Sequence, residues 1–122
     1  MKNKLEKSIN SLEFIFNRQW LTQKKLGTNI GKTLNPDERN TLYREHCIFT
    51  IEEIIEGLRN INHKPWKKTQ EDDNIDYLKD ELIDEFRFFL NRCILVQMSP
   101  SEFLSRFKKS ITKTNKRIKN KY

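Results

Sequence analysis

Glu53 and Glu56, then Glu81 and Asp84, form two carboxylate pairs, each spaced i, i+3 within a stretch whose apolar residues recur with helical period. That spacing places both acids of a pair on one face of a helix. Four acids brought together repel one another, and a divalent cation is the usual reason to gather them. Glu-x-x-Glu, a spacer of 24 residues (57–80) and Glu-x-x-Asp is the pattern two antiparallel helices need to surround Mg²⁺ with oxygen ligands. The chemistry indicated is metal-assisted attack of water on a phosphate. A single Glu-x-x-Glu reads as a solvated helix face. Its recurrence at this spacing, with the second pair set between two apolar faces, favours the metal.

Four helices are expected to position these acids. The first runs from about Lys4 to Lys25, with Leu5, Ile9, Leu12 and Phe16 at helical spacing. Gly27 to Leu34 breaks the pattern. The second opens at Asn35-Pro36-Asp37-Glu38, an N-cap followed by proline and an acid at the third helical position, and runs to about Asn60. Thr50 to Glu53 also fits a capping box, which would divide this helix into two pieces. A polar loop from Asn62 to about Asp73 contains His63-Lys64-Pro65-Trp66-Lys67-Lys68. The third helix spans about Ile75 to Met98. The last opens at Ser99-Pro100-Ser101-Glu102 and is expected to turn Phe103, Phe107, Ile111 and Ile118 inward. No strand-like alternation is present, so the fold class is all-α.

The third helix is the most informative. At 100° per residue, Leu78, Leu82, Phe86, Phe89, Leu90 and Cys93 form one broad apolar arc. Glu81, Asp84, Phe88, Asn91 and Leu95 form a second stripe. A helix apolar on two faces is buried on both, which puts Glu81 and Asp84 inside a cleft or interface. Two-faced helices on so short a chain also need a partner surface, so a homodimer is expected, with a tetramer as the alternative assembly.

Size and charge narrow the function. At 122 residues the chain is expected to be one domain, 1–122, with a basic and flexible tail over 106–122. No hydrophobic run approaches a membrane span and the N-terminus is polar, so a cytoplasmic protein is expected. Cys47 and Cys93 lie on apolar helix faces and read as reduced core residues. His46 and His63 lack paired-ligand spacing, which argues against zinc. The net charge of +7 is uneven: Glu71 to Glu85 holds eight acids and one base, whereas Arg106 to the end holds eight bases and no acid. Alone, such a tail reads as a polyanion-binding segment, but its aromatics are too sparse for a single-strand stacking platform.

The order of these features resembles the all-α nucleoside triphosphate pyrophosphatases, and most closely their dimeric dUTPase branch. The features are Gln19 on the first helix, Glu-x-x-Glu on the second, His-Lys-x-Trp-Lys in the loop and Glu-Leu-Ile-Asp-x-x-x-Phe-Phe on the third, then a basic tail with Asn115, Arg117 and Tyr122. The resemblance implies hydrolysis of a deoxynucleoside triphosphate, dUTP by preference, to the monophosphate and pyrophosphate. It implies that Glu53, Glu56, Glu81 and Asp84 hold Mg²⁺ and that one of them deprotonates the attacking water. Gln19 and Asn91 would then read the base or sugar, and Trp66 would pack on the base with Lys64 or Lys67 near the phosphates. Lys109, Lys113, Asn115, Arg117 and Tyr122 would close over the triphosphate. The tail departs from the family pattern, with Ile118 after Arg117 and Lys121 in place of the glycine before Tyr122. The alternatives are a pyrophosphatase for another nucleotide, such as dCTP or one with a modified base, and a non-enzymatic helical module that binds nucleic acid through its tail.

Overall fold

The computed structural model describes residues 4–61 and 73–121, with the side chains of residues 5–9 and 121 left out. Four helices fill the described chain: α1 (Lys4–Lys25), α2 (Pro36–Leu58), α3 (Ile75–Leu95) and α4 (Pro100–Lys121). No strand occurs among the described residues. The all-α expectation holds, and each boundary has a local cause.

α1 ends in a paired turn. Gly27 adopts φ 72°, its N–H donates to the Lys24 carbonyl at 3.1 Å, and the Thr28 N–H reaches back to Gln23 O at 3.1 Å. Only glycine takes that left-handed φ without steric cost. α2 begins with the reciprocal cap expected of its sequence: Glu38 N–H donates to Asn35 Oδ1 at 2.9 Å and Asn35 N–H to Glu38 Oε1 at 3.1 Å. The helix then runs unbroken past Thr50. The expected division fails because the Thr50 hydroxyl donates to the His46 carbonyl at 2.7 Å instead of capping a new helix. α3 stops earlier than expected, at Leu95. Gln97 turns left-handed (φ 58°), and the Met98 N–H returns to Cys93 O at 3.0 Å. Ser99 Oγ then accepts the Glu102 N–H at 3.1 Å, starting α4.

The apolar core lies between α1, α3 and the first turn of α4. Phe16, Leu90 and Cys93 are its buried centre, with Ile15, Phe86, Phe89, Met98 and Phe103 packed around it. The Phe103 ring tilts onto Phe16 at 5.9 Å and meets Phe89 edge-on at 6.1 Å. Both cysteines are free, and burial pushes the Cys93 thiol up to about 11, so it stays protonated.

Two expectations for this core are corrected. Leu82 is 55% exposed, because the apolar arc of α3 is covered only where α1 and α4 reach it, from Phe86 to Cys93. On α4 only Phe103 turns inward; Phe107, Ile111 and Ile118 are exposed. From Ser105 to Asn120 every residue is exposed, because the helix continues past the body it starts on.

α2 packs chiefly on α3, yet it contributes no buried apolar side chain: its buried residues are His46 and Gly57. Ile48, Ile51, Ile55 and Leu58 follow one another at i, i+3, i+7 and i+10 on the face turned away from α3, and all four are exposed. The α2–α3 seam is therefore largely polar, with the Phe49 ring 5.5 Å from Phe88 as its aromatic contact. The ends of these helices are tied where Asn74 N–H donates to Asn60 O at 2.8 Å.

Candidate active site

The polar seam holds three of the four expected carboxylates. Glu53 on α2 and Glu81 and Asp84 on α3 each offer an oxygen, and these atoms lie within 4.8 Å of one another. Gly57, one turn after Glu53, lets the helices approach closely: a Cβ there would lie 3.4 Å from Leu78 Cδ1 and 3.9 Å from Glu81 Cβ. Glu56 is exposed and falls outside the group of three.

The electrostatics match an unbalanced anionic cluster. A hydrogen bond with Glu81, then burial and the charges of Glu81, Glu56 and Asp84, push the Glu53 carboxyl up from 4.5 to about 7. Glu53 therefore keeps a proton near neutrality, shared with Glu81. Glu81 is buried, and its Oε2 has no hydrogen-bond partner among the described residues. The charge of Glu81 and a hydrogen bond to it also raise the Tyr77 phenol, four residues earlier on α3.

These residues fit a hard divalent cation. The donors are all carboxylate oxygens, one buried oxygen lacks a partner, and the cluster holds a proton that a cation would displace.

A cleft of about 310 Å³ adjoins the acids, lined by Gln19, Gln23, Leu26, Glu53, Asp84, Arg87, Phe88 and Asn91. This is at the small end of the range for ligand sites. Gln19 and Asn91, both buried, meet across it, with Gln19 Nε2 donating to Asn91 Oδ1 at 2.9 Å. Arg87 Nε donates to Gln19 Oε1 at 3.0 Å, and Asn91 Nδ2 lies 3.4 Å from His46 Nδ1. The cleft thus joins a carboxylate cluster to a row of oriented amides.

A family model described as dUTPase matches residues 15–122. The chain belongs to the dUTPase family. It falls in the dimeric, all-α branch, and the four helices agree with that branch. No curated protein and no solved structure matches the chain. Family membership makes it a dUTP diphosphatase-like enzyme, a nucleotide pyrophosphatase acting on a phosphoanhydride.

The other expected site residues of this dUTPase-family chain divide into two groups. Lys109, Lys113, Asn115 and Arg117 are exposed along α4, and none lines the cleft. Residues 100–121 form one continuous helix whose first turn packs on α1, with an Arg106–Glu102 ion pair at 2.9 Å. Lys64, Trp66, Lys67 and Tyr122 lie outside the described residues. Three neighbours of the site went unassigned in the sequence: Tyr77, Arg87 and His46. Each had a periodic signal, since Tyr77 and Arg87 precede Glu81 and Asn91 by four residues and His46 precedes Glu53 by seven.

Proposed function

We propose that this chain hydrolyses dUTP to dUMP and pyrophosphate with Mg²⁺ held by Glu53, Glu81 and Asp84, and by Glu56 after a rotation of its side chain. The observation that carries this reading is the continuity of the cleft, which has carboxylates at one end and buried, oriented amides at the other. A nucleoside triphosphate has the matching polarity, a charged phosphate chain joined through a sugar to a hydrogen-bonding base.

When bound, Mg²⁺ supplies Lewis-acid polarisation of the phosphate chain and lowers the cost of producing hydroxide from water. The protein's own residues supply the rest. One of these carboxylates would take the proton of the attacking water. Asp84 and Glu81 hold the negative wall that orients the cation. Gln19 and Asn91 fix the base, while Phe88 gives the cleft an apolar side. Lys109, Lys113 and Arg117 of α4 would offer charge and Asn115 an amide to the phosphates, and Lys64, Trp66, Lys67 and Tyr122 would complete the substrate contacts.

The exposed row Ile48, Ile51, Ile55 and Leu58 supports a homodimer built on the back of α2. No helix among the described residues is long and apolar enough to cross a membrane, and the reading places the enzyme in the cytoplasm.

Pyrophosphate release from a panel of dNTPs and NTPs with Mg²⁺, comparing wild type with Glu81→Ala, tests the proposal. Selective turnover of dUTP, abolished by the substitution, is expected. Selective turnover of dCTP or another nucleotide would overturn the substrate. No turnover by folded protein would overturn the reaction and leave polyanion binding by α4 as the alternative.

A further inference from the structure

From Ser105 to Asn120 α4 is exposed at every residue, yet its residues are sorted as if one side were to be covered. At 100° per residue Phe107, Ile111 and Ile118 share one arc with the anchored Phe103, and all three are exposed. Lys108, Lys109, Lys113, Lys116, Arg117 and Lys119 occupy the other sides. The one acid of the helix, Glu102, is already paired with Arg106. An apolar arc edged by cations is complemented by an apolar surface edged by anions.

The back of α2 is such a surface. Ile48, Ile51, Ile55 and Leu58 run along it, and Glu45, Glu52 and Glu56, all exposed, line one edge at i, i+7 and i+11. Arg44 and Arg59 stand at its two ends. α2 carries six acids and two arginines, whereas α4 carries eight bases and one acid, so the two helices attract one another. The rows also match in length, about 15 Å from Ile48 to Leu58 and about 17 Å from Phe107 to Ile118 at 1.5 Å per residue. Within one chain the described residues of α4 and α2 do not meet, since α4 packs on α1 and on the Phe89 ring of α3. The complement to each row is therefore on another copy.

We propose that the back of α2 is covered by α4 of a second copy, and reciprocally, so that two α2–α4 seams close a homodimer. This rests on the reading of the α2 row as a homodimer surface and names what lies on it. Each chain gives one α4 and receives one, so the exchange closes at two copies. A symmetric contact of α2 with α2 would cover the four apolar side chains of that row and leave Phe107, Ile111 and Ile118 in water. The α2–α4 seam covers all seven. It also sets a negative helix against a positive one, where α2 on α2 would oppose two helices of the same sign. The cations of α4 do not line the cleft of their own chain, and in this dimer they stand beside the acidic edge of the other.

Sedimentation velocity at tens of micromolar tests the seam on wild type, on Ile51→Asp/Ile55→Asp, on Phe107→Asp/Ile111→Asp and on an equimolar mixture of the two variants. The four positions are exposed, so circular dichroism should show each variant fully helical. Serine at the same positions serves if aspartate costs helix. Wild type should sediment as a dimer and each variant as a monomer. The mixture should regain a dimer boundary, because a mixed dimer keeps one seam whole, and it should dissociate more readily on dilution than wild type. A dimer that survives Phe107→Asp/Ile111→Asp would overturn the proposal and leave a homodimer on α2 alone. A mixture that stays monomeric over about a tenfold rise in concentration would also overturn it. A monomeric wild type would overturn both the proposal and the homodimer reading. If that monomer bound phosphatidylserine vesicles or duplex DNA through Phe107 and Ile111, the arc of α4 would belong to that surface instead. None of these outcomes depends on turnover of a nucleotide, so each leaves dUTP hydrolysis untouched.

Discussion

At the scale of single residues, the site is a balance of like charges waiting to be neutralised. Glu53 binds a proton more tightly in the folded chain (about 7) than its ordinary value of 4.5 allows in the unfolded one. A carboxyl raised on folding favours the native state at low pH. Its contribution is complete below about 4.5 and is lost as pH climbs to about 7. The metal-free protein should therefore melt at a higher temperature near pH 5 than near pH 8, so far as this group decides it. Mg²⁺ should raise the melting temperature more at pH 8, where no proton has to leave first. Calorimetry at the two pH values, with and without Mg²⁺, checks both signs. Equal stabilisation by Mg²⁺ at both would remove Glu53 from the ligand set. The burial of Glu81 and Asn91 was legible beforehand because both sit on the second stripe of one helix, and they are 5% and 1% exposed. For His46 and Arg87 periodicity gave the helix face but not the partners, which come through hydrogen bonds spanning 45 and 68 residues of sequence.

At the scale of elements, local chemistry announced where helices begin better than where they face. The caps at Asn35 and Ser99 follow from side-chain oxygens that can satisfy an open first turn, and both are present. The end of α3 was misplaced because its terminator, Gln97, is not one of the residues that favour a left-handed turn. Gln97→Gly should relieve that strain and stabilise the fold by about 1 kcal/mol, leaving activity unaltered, as chemical denaturation and the pyrophosphate assay would show. A destabilised variant would mean that the glutamine side chain holds the turn through contacts of its own. Facing was harder to read, because an apolar stripe reports that a surface wants cover and not what covers it. α4 carries such a stripe at Phe103, Phe107 and Ile111, yet only Phe103 finds the core.

At the scale of the whole molecule, the arrangement is unusual in placing its polar network inside and a row of isoleucines outside. The α2–α3 seam holds His46, Glu53, Glu81 and Asn91 beside the Phe49–Phe88 ring contact, and the apolar back of α2 is left to face outward. A second copy of the chain is the simplest cover for it, and the double substitution Ile51→Asp, Ile55→Asp should then convert a dimer to a monomer. Sedimentation velocity should show the change, with a lower melting temperature for the variant. A wild type that sediments as a monomer at tens of micromolar would sink the dimer.

The mounting of α4 has a mechanical consequence as well. The helix is held at its first turn by Phe103 and extends through Lys121, about 27 Å beyond that anchor at 1.5 Å per residue. It is a lever whose fulcrum is a cluster of aromatic rings. A tilt of about 20° at Phe103, the size of the scatter among helix-packing angles, would carry the far end through about 9 Å. The reach of Lys113 and Arg117 is thus set by how the rings of Phe16, Phe89 and Phe103 seat against one another, far from the charges that move.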